Sequence, residues 1–246
     1  MATCTAGATT AADTSNTSTY ALGTFTPALS DLLVILVATS GSVEPTAAGA
    51  VTDDRGGTYY KAAFSTRSGA ASSNYIFVRN QLVASAVGHI VTFTCTGDAA
   101  TGACILPYQV AGMTRAGSSA VRQTATQTGL AAGNTPSVVF SVACLTGNAV
   151  IGMVGCAQNP AAITPPSGWT EPASPVFDTG YGTPAAGIEG CHINSGFTST
   201  TVTWGSTSSG ASGSVAVELD TTLPAIGGRQ PVKLVTKQSI QRASLW

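Results

Sequence analysis

Apolar residues fall into short runs separated by Gly-, Ser-, Thr- and Pro-rich stretches, and the runs come in the same order twice. Each set opens with a Phe followed by an apolar strand: Phe25 then Asp31–Ala38 (DLLVILVA), and Phe140 then Asn148–Val154 (NAVIGMV). A turn-rich segment carrying aromatics follows, Val51–Tyr60 (VTDDRGGTYY) and Pro165–Thr170 (PPSGWT). A mixed strand comes next, Asn74–Arg79 and Ala186–Ile193. Each set ends in a predicted hairpin, Ile90–Cys95 with Cys104–Val110 and Thr201–Trp204 with Ser214–Leu219. A unit of this length is far larger than a solenoid repeat. Two halves that cannot bury their apolar faces alone predict closure on each other as one antiparallel β-sandwich. The run Leu32–Ala38 is too short to cross a bilayer and reads as a strand buried on both faces.

The organisation this predicts is an N-terminal arm over residues 1–19, one all-β sandwich domain over 20–220 and a C-terminal arm over 221–246. The pseudo-repeats occupy about 20–112 and 135–220. Composition supports it. Thr and Val favour strands, and the helix-forming surface residues Lys, Glu and Arg are scarce. Charged residues make up 9% of the chain, against a usual ~25%. A surface this poor in charge, with net charge −1, suits a protein held in a larger assembly. The N-terminus has neither the basic region nor the apolar core of a secretion signal, so synthesis in a cytoplasm and release by lysis are expected.

The last segment breaks the pattern. Residues 221–228 (TTLPAIGG) read as a linker. Beyond them Arg229, Lys233, Lys237 and Arg242 occur with no acid, interspersed with Val232, Leu234, Val235, Ile240, Leu245 and Trp246. One reading is a frayed terminus. The other is an arm that orders on an acidic neighbour, with Leu234 and Trp246 among its anchors. Val232–Thr236 suits addition to a sheet edge, while the spacing of Lys233 and Lys237 also suits one helix face. The body has no basic face for nucleic acid, and no segment is built to span a membrane as a helix.

Candidate chemistry is sparse. The six cysteines include no C-x-x-C, and the two histidines are far apart, so no zinc site is expected. Cys95 and Cys104 would face each other across the first hairpin, which makes them disulfide candidates. Cys144, Cys156 and Cys191 fall in core strands as buried thiols, and Cys4 in an N-terminal arm is placed to bond another chain. No G-x-S-x-G, H-E-x-x-H or P-loop occurs, and no cofactor motif. Cys191 and His192 are adjacent on a strand and point to opposite faces. His89, next to Gly88, reads as a surface or turn residue. Asp53-Asp54 is the only acidic pair, and carboxylates in a turn usually cap it. The chain therefore argues against an enzyme and against a metal site.

The run Ser30–Ala38, followed by Val51–Tyr59 (VTDDRGGTY), the strand Tyr75–Asn80 and Pro166–Thr170 (PSGWT), resembles a family of phage and bacterial extracellular β-sandwich proteins. The resemblance covers roughly residues 20 to 220, with Gly57 where the family often has Asn. It implies a jelly-roll-like sandwich used as a virion part: capsid decoration, collar, or a tail-associated or fibre module. Partners would be other virion proteins of capsid, neck or tail, and copies of itself as a homo-oligomer. A different reading is a lectin-like carbohydrate-binding adhesion module recognising host-surface glycans. Its sugar platforms would come from Tyr59, Tyr60, Trp169, Tyr181 and Trp204, although Trp169 and Trp204 also suit core positions.

Overall fold

The computed structural model describes residues 1–8, 10–12, 19–40, 50–67, 73–95, 102–156, 163–172, 176–177, 186–208 and 210–221. The C-terminal segment from 222 onward and Tyr181 lie outside the described residues. The first part of the chain forms β1 (Thr3–Ala6), β2 (Thr10–Ala12), β3 (Thr19–Ala21), β4 (Leu32–Ser40), β5 (Ala50–Asp53), β6 (Tyr59–Thr66), β7 (Ser73–Arg79), β8 (Val91–Thr94) and β9 (Gly102–Ala111). A short 3-10 turn, Gly117–Ala120, leads into the second part. There the strands are β10 (Val121–Leu130), β11 (Ser137–Val139), β12 (Ala149–Cys156), β13 (Val176–Phe177), β14 (Gly187–Ile193), β15 (Thr201–Thr203) and β16 (Ser212–Leu219).

The fold is an all-β antiparallel sandwich, and the repeat is visible in its topology. The large sheet of the first part runs β1-β9-β4-β7-β6, with β2 also on β9. That of the second runs β10-β16-β12-β14-β13, the same order element for element. Each part also carries a small outer sheet, β3-β8-β5 in the first and β11-β15 in the second.

Four layers result, rather than two halves closing as one simple sandwich. The two large sheets meet face to face through Leu32, Val34, Leu36, Ile76 and Tyr108 on one side and Ile151, Met153, Ile188, Val215 and Val217 on the other. The other face of the first large sheet, with Ile35, Val37, Tyr75 and Phe77, is covered by Tyr20, Val51 and Phe93 of its outer sheet. Val150, Val154, Cys191 and Ala216 are likewise covered by Val138, Val202 and Trp204. Strands sealed on both faces need apolar residues at every position, which is why Leu32–Ala38 and Ala149–Val154 lack alternation.

The facing sheets are in step. Tyr108, paired with Val34, packs edge-on against His192, paired with Ile151. Asn74, paired with Ala38, donates to the Gly213 carbonyl at 3.1 Å, and Gly213 pairs with Gly155. So β4 and β12 run in the same direction, and their starts share one pole of the molecule.

Three expectations are corrected here. Neither predicted hairpin forms: β8 pairs with β3 and β5, whereas β9 pairs with β1, β2 and β4. Likewise β15 pairs with β11, and β16 with β10 and β12. Residues 1–19 are not simply an arm, because β1 and β2 complete the first large sheet on β9. Cys4 accordingly lies in the central core at 5% exposure, where burial pushes its thiol up to about 12, so it is not offered to another chain.

Candidate functional site

The turn after β5 is held by charge. Asp53 is buried, and its Oδ1 accepts from the backbone N–H of Arg55 at 3.0 Å and of Gly57 at 2.8 Å. Its Oδ2 accepts from Arg79 Nε at 2.8 Å and from the Tyr59 hydroxyl at 3.1 Å. Burial opposes the charge, but Arg79 and the two amides outweigh it and hold the carboxyl below its ordinary range. A Cβ on Gly57 would stand 2.1 Å from Asp53 Oδ2, so a side chain there collides with the pair. The D-x-x-x-G-x-Y spacing from Asp53 to Tyr59 is thus a structural clasp, as the Asx reading of Asp53 expected. The Tyr59 hydroxyl is engaged in it, and the ring is half-buried. Tyr60 remains 39% exposed on β6.

The corresponding place in the second half is built differently. In chain order Ile163–Pro166 corresponds to β5 of the first half, ahead of the turn at Ser167-Gly168. The segment begins to pair, with Gly205 N–H donating to the Thr164 carbonyl at 2.9 Å. Pro165 and Pro166 then remove two donors, and no strand lies against β15 on that side among the described residues. In the first half the equivalent β8 is flanked on both sides, with Thr92 matched to Ala21 and to Thr52.

A cleft of about 420 Å³ opens at this vacated position. Its apolar lining comes from Trp169, Ile193, Phe197 and Val202, and its hydroxyl lining from Ser167, Thr201 and Thr203. Trp169 and Phe197 meet edge to face, with centroids 5.3 Å apart and planes at 81°. No charged side chain lines it.

The backbone of β15 also faces this cleft. Phe140 N–H donates to the Thr200 carbonyl and Trp204 N–H to the Pro136 carbonyl, with Val138 opposite Val202 between them. Antiparallel pairs alternate, so Thr201 and Thr203 turn their backbone groups away from β11. The Thr201 N–H is taken by Ser199 Oγ at 3.0 Å. The N–H and C=O of Thr203 have no partner among the described residues and leave an open edge there.

The other predicted site residues are dispersed. Trp204 is 1% exposed and belongs to the outer core, as its alternating strand suggested. Cys95 and Cys104 do not form the expected hairpin pair. Cys95 follows the end of β8 and Cys104 lies on β9, in different apolar clusters, and Cys104 Sγ donates to the Ala186 carbonyl at 3.3 Å. His89 is buried rather than at the surface: it forms a bridge with Phe25, and its Nδ1 donates to the Val87 carbonyl at 2.7 Å. Cys191 and His192 point to opposite faces, Cys191 into the outer cluster and His192 against Tyr108. Arg229, Lys233, Leu234, Lys237, Arg242 and Trp246 are outside the described residues.

Sequence reasoning missed one acidic pair. Glu189 on β14 is fully buried, with no hydrogen-bond partner for either carboxyl oxygen among the described residues. Burial, and then the neighbouring Glu171 carboxylate, push it up to about 9. A lone Glu in the strand Gly187–Ile193 was the available signal; Glu171, next to the Thr170–His192 bridge, carried none. Among the described residues no group of three or more His, Cys, Asp or Glu is placed to hold a metal ion. No family model, curated protein or solved structure matches the chain.

Proposed function

We propose that this chain is a non-enzymatic structural protein of a bacteriophage virion, carried on the particle surface as a capsid decoration, collar or tail-associated component and docked through its C-terminal arm. The observation that carries this reading is how the body ends. Asp220 pairs with Arg115, and its N–H donates to the Ala120 carbonyl at 2.8 Å. Thr221 then donates from Oγ1 to the Gly147 carbonyl at 2.9 Å and from its N–H to Asn148 Oδ1 at 3.2 Å. The basic, acid-free segment that follows therefore starts from a fixed point on a rigid sandwich, as a tether should. Its partners in this reading are other virion proteins of capsid, neck or tail, and further copies of itself.

A second reading, a carbohydrate-binding adhesion module, draws on the cleft. Half-buried Trp169 beside a row of hydroxyls suits the apolar face and the polar rim of a sugar ring. The test is incorporation into particles. Full-length chain should co-sediment with gradient-purified virions, while a chain ending at Thr221 stays folded and remains in the supernatant. A truncated chain still found on particles would remove the arm from the docking role. Absence of both from particles, with retention of the full-length chain on a glycan array, would transfer the assignment to the adhesion reading.

A further inference from the structure

The two halves share their strand order but differ at one place, and that place is an acceptor. In the first half β5 fills the edge of β8, with its residues in register from Ala50 opposite Thr94 to Asp53 opposite Val91. In the second half no strand pairs with the same edge of β15 among the described residues, and a cleft lies along it. An open strand edge beside an apolar lining takes an added strand: main-chain bonds supply affinity, and alternate side chains enter the groove.

From this we infer that the β15 cleft receives residues Val232–Thr236 from the C-terminal arm of a second copy of this chain, completing the outer sheet as β5 does in the first half. The inference rests on the arm being the assembly element. Alternation fits the groove, because Val232 and Leu234 fall on one face and Lys233 and Val235 on the other. The two apolar residues would meet Trp169, Phe197 and Val202, and Lys233 would point outward, where exposed Glu171 follows Trp169 by two residues. Polarity favours a neighbour's arm over the chain's own. A strand antiparallel to β15, as β5 is to β8, enters at the Gly205 end and leaves at the Thr201 end. The chain's own exit at Thr221 bonds Gly147, beside Thr146, whose carbonyl accepts from Gly196 N–H at 2.7 Å. Gly196 also lines the cleft, so the chain's own arm departs at the end where the inserted strand should finish.

The experiment uses two full-length variants. Thr203→Pro removes the outward N–H of the acceptor, at an edge where proline is tolerated. Leu234→Pro disables the donor and alters none of the described residues, so it serves as the second variant where Thr203→Pro fails to fold. Light scattering behind size-exclusion chromatography should give an oligomer for the native chain and monomers for each variant. Mixing the two monomers should restore a dimer, because one intact acceptor then meets one intact donor. An oligomer unaffected by either variant would overturn this inference and leave the arm's assembly role to another surface. A native chain that is monomeric at all concentrations would also overturn it, and the arm's docking on other virion proteins is then decided by co-sedimentation alone. Variants that stay monomeric when mixed, with Thr203→Pro folded by circular dichroism, would show that arm and cleft are not each other's partners and would also overturn it.

Discussion

Glu218 and Glu189 are both sealed from solvent, yet their surroundings set them to opposite states. Glu218 Oε1 accepts from Leu145 N–H at 2.8 Å and Asn148 Nδ2 at 2.7 Å; its Oε2 accepts from Arg122 Nη1 at 2.5 Å and Gln123 Nε2 at 2.6 Å. Burial opposes its charge, but these four donors prevail and hold it below the ordinary range. Glu189 has no such donors and is neutral near pH 7. Its folded value, about 9, exceeds the unfolded value of ~4.3, so the folded state binds the proton more tightly. The stability linked to that proton is complete below about pH 4 and is lost as pH rises towards 9. Glu189→Gln should abolish this slope and raise stability at neutral pH by on the order of 3 kcal/mol, read from urea unfolding across the window. Parallel pH profiles for the two proteins would refute the assignment. At the first-half clasp the opposite result is expected. Arg79→Met strands the Asp53 charge in the core and should cost about 3–5 kcal/mol, measured as a lower urea midpoint.

Strand positions were legible in the sequence, and strand partners were not. The runs at Leu32–Ala38 and Asn74–Arg79 fall within strands, and Asn148–Val154 does so from Ala149 on, because unbroken apolar stretches need cover on both faces. The alternation in Val91–Thr94 says only that one face is buried. It does not say whether the neighbour is the next strand in sequence or one far away, and here it is β3 and β5. The first residues were misread for a related reason. Thr3–Ala6 is too short and too polar to announce itself, yet β9 supplies the partner that orders it. Deleting residues 1–7 should therefore bare the β9 edge and remove Ala2 and Cys4 from the core. We expect a loss of several kcal/mol on the scale of buried side-chain removal, with aggregation on heating. A truncated chain with an unchanged melting temperature would return β1 to the status of an arm. In the cleft, Pro165-Pro166 was visible as a turn signal; that it marks a missing strand becomes apparent only when the first half supplies the strand for comparison.

At the level of the whole molecule, the doubled order of elements was readable from Phe25 and Phe140 onward, and the layering was not. Sequence periodicity cannot tell a strand facing one neighbour from one sandwiched between two sheets of different halves. The central core is shared, with Leu36 and Tyr108 from one half against Met153 and Val217 from the other. Either half alone would expose the inner face of its large sheet. Residues 1–115 and 116–246 made separately should be insoluble or self-associated and should recover a one-to-one complex when refolded together. Two halves that each unfold cooperatively as monomers would show instead that the shared face is dispensable.

The in-step alignment of β4 and β12 has a consequence for display. A pseudo-dyad running along the strands makes the molecule polar, with Leu32, Ala149 and the anchored Thr221 at one pole and Ser40, Cys156, Gly187 and Ser212 at the other. A body held by its tail thus turns the matching strand ends of both halves outward together. A recognition feature grafted between those ends in both halves is presented twice, side by side, on a single chain, and bivalence comes from the duplication itself.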